Sequence, residues 1–260
     1  MNTNETNNTN ETNETILPHL ASVVVIGNAR YIEKYLPTTF SKIQIICDCF
    51  AKSNIIIYEN DSDDKTLELL QTWAQNKQNV EIITEKNVPG LRTHRLAHGR
   101  TLTMNKALTL KSDYIVVMDL DDVNDKLTKD AFLSSFTFLN LDWAVMTANQ
   151  SKRAYDLWAL RTYDDWMPFD CWHCFFVDKK TSDYCVNSRY KHIDENAEPI
   201  SVKSAFGGLG IYKTKYLNNC KYDGGAGNKE LCEHVAFHDD IIKNGGKIYI
   251  NPKMINTVGV

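Results

Sequence analysis

The chain has 260 residues, of which 43% are hydrophobic, enough for one large α/β domain or two small ones with a sizeable core. Its 29 basic and 33 acidic side chains give a formal charge of −4, so it offers no basic field for nucleic acid or an acidic membrane. No apolar run has transmembrane length and no signal-peptide core is visible, so a soluble, cytoplasmic protein is expected. Residues 1–16 repeat Asn, Thr and Glu with nothing to bury and predict a disordered tail over residues 1–18. From residue 19 to 260 a single domain is expected, with its first half ending near residue 125.

The apolar run 22–26 predicts a buried strand that turns out through Gly27, Asn28 and Arg30. A helix follows to about residue 49, interrupted near Pro37. A second buried strand, 54–58, runs into Glu59-Asn-Asp-Ser-Asp63, and Asp61 or Ser62 is placed to cap the helix over 65–76. A third strand (80–84) and a helix over 94–110 lead to the strand 114–118, which is apolar throughout and ends in Asp119, Asp121 and Asp122. Four strand–helix alternations predict a mostly parallel sheet with helices on both faces. Ligands on such a sheet sit at the carboxyl ends of the strands. The turn after the first strand lacks both Gly-x-Gly-x-x-Gly and a phosphate loop, which argues against nicotinamide, flavin or P-loop nucleotide sites.

The second half predicts a helix over 126–139, a strand over 142–148, aromatic stretches over 155–161 and 166–176, a segment 200–204 that leads to the glycine-rich 206–212, a helix over 230–244 and a last strand at 247–250. Seven irregularly spaced cysteines do not form a disulfide framework, so reduced thiols are the expectation. Cys171-x-x-Cys174 with Cys232-x-His234 has the ligand types of structural zinc, although packed thiols are the commoner meaning of such pairs.

Alternation along an extended chain puts Asp119 and Asp121 on one side, within reach of one divalent cation. In order, the motifs resemble those of GT-A glycosyltransferases over about residues 21–257. More narrowly they are similar to capsule-associated mannosyltransferases and their viral relatives, which would allow packaging in a virion. The resemblance implies a Rossmann-like GT-A domain, split into a nucleotide-binding half (19–125) and an acceptor-binding half (126–260). It implies donor contacts from Gly27, Asn28, Arg30, Glu59, Asp61, Arg95, Arg100 and Asp119. Phe206-Gly-Gly-Leu-Gly210 matches the acceptor loop, giving Gly207 and Gly208, with Trp158 as an aromatic that stacks on sugar; Tyr155, Trp166 and Trp172 are further aromatics of that kind. Leu231-Cys-Glu-His234 lies at the x-Glu-Asp motif, making Glu233 the general base of an inverting transfer, or a residue that orients the acceptor if transfer is retaining.

The implied cofactor is Mn²⁺ or Mg²⁺. Asp121 is the first choice of ligand, Asp119 contacts metal or ribose, and Asp122 is left to cap the next helix. The C-terminal His of many relatives is absent; Asn256 stands near its place, so His234 or His238 is the substitute ligand. The implied partners are a UDP- or GDP-linked sugar and a glycan or glycoprotein acceptor. The alternatives are a nucleotidyltransferase making nucleotide sugars and a non-catalytic carbohydrate-binding protein.

Overall fold

The structure, a computed structural model, describes residues 15–153, 156–172 and 178–259. Nine strands form one sheet in the order β3-β2-β1-β4-β8-β5-β9-β7-β6. The first half supplies β1 (Ser22–Ala29), β2 (Lys52–Asn60), β3 (Val80–Glu85) and β4 (Tyr114–Met118), all mutually parallel. The second half supplies β5 (Val145–Gln150), β6 (Arg161–Thr162), β7 (Ile200–Ser204), β8 (Leu209–Lys213) and β9 (Ile248–Thr257). There β8 runs antiparallel between β4 and β5, β9 lies parallel to β5, and β7 and β6 close the edge antiparallel. The sheet is therefore parallel in its first half and mixed in its second.

The helices are α1 (Leu36–Cys47), α2 (Thr66–Ala74), α3 (Arg92–Thr109), α4 (Lys129–Leu133), α5 (Lys179–Cys185) and α6 (Glu233–Lys243). Strand alternation divides the core in two. Val24, Ile26, Ile115 and Val117 pack with Ala97 and Met104 of α3 and Phe237 and Ile241 of α6. Val23, Val25, Val116 and Met118 pack on the other face with Ile43 and Ile46 of α1 and with Phe132, Phe136 and Trp143. Burial of both faces is why these strands read as continuous apolar runs.

The expected helix over 126–139 is replaced by short pieces: a 3-10 turn at Asp122–Asn124, α4 and a second 3-10 turn at Ser134–Phe136. Phe132 of α4 and Phe136 of the second 3-10 turn pack on each other and against Phe50, with Phe136 also edge-on to Tyr114. Pro37 sits in the first turn of α1, where its missing N–H costs nothing, and does not interrupt it. β9 continues past its expected end, through Pro252, where the register with β5 shifts. Of the expected tail, residues 1–14 lie outside the described residues, while the Ile16 carbonyl accepts the Tyr114 hydroxyl at 2.7 Å. Cys185 is disulfide-bonded, against the expectation of reduced thiols throughout. Among the described residues no helix is long and apolar enough to cross a membrane.

Candidate active site

β1 is flanked by β2 on one side and β4 on the other, so the chain reverses its direction of progress between β1 and β4. A crevice opens at the carboxyl ends of strands at such a point. A cavity of ≈ 390 Å³ lies there, between the turns after β1 and β4 and the N-terminal ends of α3 and α6. It gathers four carboxylates, Asp119, Asp121, Asp156 and Glu233, and four guanidinium groups, Arg30, Arg92, Arg95 and Arg100.

Arg100 organises the acids. It is 4% exposed, donates from Nη2 to Asp119 Oδ1 at 2.8 Å, and places Nε 3.0 Å from Glu233 Oε1. The second contact is poorly aligned for a hydrogen bond and acts as an ion pair. Its guanidinium also lies 4.9 Å from the centre of the Phe206 ring. Arg100 thus ties the turn after β4 to the first turn of α6. Burial pushes the Glu233 carboxyl above its ordinary range, and Arg100 opposes that shift.

Asp121 is pushed up to about 6 by burial and then by the neighbouring Asp119 charge. Its Oδ1 accepts from Val123 N at 3.2 Å, so it is Asp121, and not the exposed Asp122, that caps the 3-10 turn. Asp119 is fixed from behind: its N–H donates to the Gly208 carbonyl at 2.9 Å.

Asp156 is the acid that sequence motifs did not reveal. Its Oδ1 accepts from Ala159 N at 3.3 Å and its Oδ2 from Gly207 N at 3.2 Å. Burial above all raises it to about 6, with the charges of Asp119 and Glu233 adding to the effect. It stands in an irregular segment with no recurring spacing, and only the fold brings it beside residues of α3, α6 and the β4 turn.

The glycine loop does not line the main cavity. Gly207 (φ 64°) and Gly208 (φ 84°) adopt the left-handed conformation that turns their carbonyls inward. The Gly207 carbonyl accepts from Asn256 Nδ2 at 2.7 Å and Gln150 Nε2 at 3.2 Å, and the Gly208 carbonyl from Asn124 Nδ2 at 3.0 Å. These glycines brace the turn after β4 from behind the cavity. Asn256, at the place of the missing histidine, is fully buried and also donates to Asn124 Oδ1 at 2.8 Å. It belongs to this amide network.

At the β1 and β2 ends, Asn28 and Arg30 line the cavity, as expected, and so does Asn60. Asn28 Nδ2 donates to the Leu96 carbonyl at 3.0 Å, leaving its buried Oδ1 without a protein partner. Gly27 lies beneath: a Cβ there would come within 2.7 Å of Leu120 Cγ and the Met118 carbonyl. Its role is close packing. Glu59 is 1% exposed and spends its oxygens on Ser62 N and Thr84 Oγ1, both at 3.0 Å. Asp61 holds the loop after β3 through Asn87 N and Val88 N (3.1 Å) and does not cap α2. Neither Glu59 nor Asp61 lines the cavity; both shape its rim from behind. Arg95 lines it while donating to the Gly90 carbonyl.

The two candidate histidine ligands behave differently from expectation. His238 is fully buried, with Nδ1 2.8 Å from Ser204 Oγ and Nε2 3.0 Å from Tyr212 Oη. Both nitrogens are thus occupied and it does not line the cavity. His234 lines the cavity but is 2% exposed and stacked on Phe206 at 3.8 Å; burial, with the nearby Arg100 charge, holds it well below the ordinary histidine range. Among the described residues no group of three His, Cys, Asp or Glu side chains is gathered to hold a metal by itself. Of the zinc candidates, Cys171 and Cys232 are buried, and Cys174 lies outside the described residues. Trp158 lines the cavity, with Trp172 edge-on at 5.9 Å. Trp166 points elsewhere and donates to the Arg189 carbonyl, and Tyr155 lies outside the described residues.

No protein-family profile and no curated protein matches the sequence. Solved structures do resemble the fold. The mannosyltransferase PcManGT from Pyrobaculum calidifontis, in complex with GDP-Man and Mn²⁺, superposes with a TM-score of 0.55 at 13% identity, covering 94% of this chain and 57% of that one. TarS 1-349 from S. aureus, in complex with UDP-GlcNAc, gives 0.53 at 14% identity, with 88% and 55% covered. GalNAc-T7 with UDP, GalNAc and Mn²⁺ gives 0.52 at 14% identity, with 90% and 43% covered. The chain spans about half the length of these proteins, and what it shares with them is the single-domain α/β fold of the GT-A type.

Proposed function

We propose that the protein is a metal-dependent glycosyltransferase that moves a sugar from a UDP- or GDP-linked donor to a glycan or glycoprotein acceptor. The observation that carries this reading is the meeting of Asp119 and Asp121 with the buried Arg100 in the cavity at the β1–β4 switch point. The solved structures of similar fold that hold UDP-GlcNAc, or GDP-Man with Mn²⁺, support it.

The residues fit a hard divalent cation. Mg²⁺ and Mn²⁺ favour carboxylate oxygens, and Mg²⁺ commonly takes one or two carboxylates and completes its shell with water and substrate phosphates. Asp121 and Asp119 are that pair, and the close approach of two negative charges, which already raises Asp121, is relieved by a cation. When bound, the metal supplies Lewis-acid stabilisation of the leaving diphosphate. The chain's own residues do the rest. Arg30, Arg92 and Arg95 face the same space with positive charge suited to phosphate. Asn28 and Asn60 offer polar atoms to the nucleoside, and Glu59 and Asp61 hold the loop that shapes its pocket. Trp158 presents an aromatic face or edge to a sugar on the opposite wall, where Glu233 and Asp156 supply carboxylates for the acceptor's proton.

The nucleotidyltransferase alternative needs a glycine-rich basic loop for a triphosphate, and the turn after β1 has only Gly27 to Arg30 to offer. The test is nucleotide release from UDP-hexoses and GDP-mannose, with Mn²⁺ and with a chelator. Release that depends on Mn²⁺, and falls roughly 100-fold or more in Asp121→Asn, is the expected result. Failure of every donor to bind or turn over with metal present defeats the reading, including its preference over a non-catalytic carbohydrate-binding protein.

A further inference from the structure

We propose that Asp156, and not Glu233, takes the proton from the acceptor hydroxyl. This rests on the glycosyl-transfer reading and assigns the proton acceptor within it. In the step, the acceptor O–H bond breaks and its proton passes to a carboxylate oxygen of Asp156. The acceptor oxygen bonds to the anomeric carbon. The bond from that carbon to the diphosphate oxygen breaks, and its electron pair leaves on the diphosphate.

The geometry separates the two acids. Glu233 has a 5% exposed side chain with Oε1 held 3.0 Å from Arg100 Nε. Burial raises Glu233, but the guanidinium already engaged with it favours its anion and offsets part of that rise, so one of its oxygens is committed before an acceptor arrives. Position 234, where the x-Glu-Asp pattern has its second acid, carries an imidazole stacked flat on Phe206, with both ring nitrogens enclosed. Asp156 differs from both. It lines the cavity, remains partly accessible, and among the described residues has no ion-pair partner, since Arg100 is committed to Asp119 and Glu233 and Arg161 to Asp170.

Two backbone N–H groups, from Ala159 and Gly207, hold Asp156 in place. An ionised carboxylate has about four acceptor positions, so about two are left for a hydroxyl. The anchors come from different parts of the chain, which fixes the carboxylate without a charge partner.

The electrostatic surroundings agree. The groups that act on Asp156 include Asp119 from the β4 turn, Glu233 and Cys232 at the start of α6, and Cys171 and Tyr190 from the irregular segment. Arg30, Arg92, Arg95 and Arg100 share the cavity with it, and none of them forms an ion pair with it. Burial and the two acids raise Asp156 to about 6, close to the working pH that makes a general base effective. Trp158, two residues on, lines the same wall and offers a surface against which an acceptor ring can lie.

The experiment compares Asp156→Asn, Asp156→Ala and Glu233→Gln with the wild type at saturating Mn²⁺ and a UDP-hexose or GDP-mannose that the wild type uses. Saturating metal removes the proton competition at Asp121. The wild-type kcat/KM falls on the acid side as Asp156 takes up its proton. Asp156→Asn loses roughly 100-fold or more in kcat, keeps the calorimetric affinity for Mn²⁺ with UDP or GDP, and no longer shows the acid limb. Asp156→Ala is partly restored by added formate, a response that a purely structural role would not give. Glu233→Gln is slowed but keeps the limb. The inference is overturned if Asp156→Asn transfers sugar at near the wild-type rate, if formate restores nothing, or if the limb disappears in Glu233→Gln and persists in the Asp156 variants. Absence of nucleotide binding in the wild type defeats the glycosyl-transfer reading itself and is distinguished from these outcomes by calorimetry.

Discussion

His238 shows how a residue type suited to metal binding is turned to structure. Its nitrogens meet Ser204 Oγ and Tyr212 Oη, and burial lowers it to about 3, the Arg100 charge adding to the effect. The unfolded chain titrates near about 6.5. Between these values the unfolded state binds a proton that the folded state does not, so the His238 contribution to stability falls as the pH is lowered through about 6.5. His238→Gln is expected to be less stable than wild type at neutral pH, because one of the two hydrogen bonds is lost. The deficit shrinks by about 1.4 kcal/mol between about pH 7.5 and about pH 5.5, since the variant has no imidazole to protonate on unfolding. The comparison with the variant is needed because Asp121 and Asp156, both raised, shift protons the opposite way over an overlapping range. Denaturant titrations of both proteins at the two pH values measure it; a deficit that does not change with pH excludes a buried neutral His238.

At the level of elements, α3 carries the site because it lies unusually close to the sheet. Gly99 allows this: a Cβ at 99 would stand 2.3 Å from Tyr58 Cδ1 and 2.9 Å from Asn28 Nδ2. Gly99→Ala must displace Tyr58, whose hydroxyl donates to Glu85 at 2.8 Å, or lift the helix that carries Arg100. A loss of about 1–3 kcal/mol in stability is expected from such overpacking, with weaker nucleotide binding because Asn28 is pushed from the cavity wall. Thermal melts with and without UDP or GDP measure both; a variant with wild-type stability and binding removes the close-approach argument. The sequence made the first half of the fold legible because β1, β2 and β4 are buried on both faces, and the acids at their ends follow directly from the strand pattern. It did not disclose which acids the interior uses. Glu59 and Asp61 look like ligands in a one-dimensional string, yet backbone and hydroxyl groups of β3 and its loop take up their oxygens. Asn124 and Asn256 meet across 132 positions, and Asp156 and Gly207 across 51. Such pairings are set by strand order and leave no local pattern.

For the whole molecule, the cavity is shared between the parallel first half and the mixed second half, and Arg100 bridges charges that belong to both. A ligand that spans the cavity therefore links the two halves of the sheet and must raise the stability of the fold as a unit. On the proposed function, the metal alone would meet two carboxylates of one turn, Asp119 and Asp121, and the nucleotide alone would bring its diphosphate towards those same acids. Together they offset each other's charge, so their stabilisation is expected to exceed the sum of the separate effects. At a ligand concentration about 100 times Kd, linkage contributes about 2.7 kcal/mol. For a chain of this size that corresponds to a rise of roughly 5–10 °C in Tm. Thermal melts with Mn²⁺ alone, with UDP or GDP plus chelator, and with both present give the comparison. A large shift confined to the combined condition, and abolished in Asp121→Asn, is the expected pattern. An equal shift from nucleotide in the presence of chelator would show that the arginines hold the diphosphate unaided, and the carboxylate pair would then lose its claim to the metal.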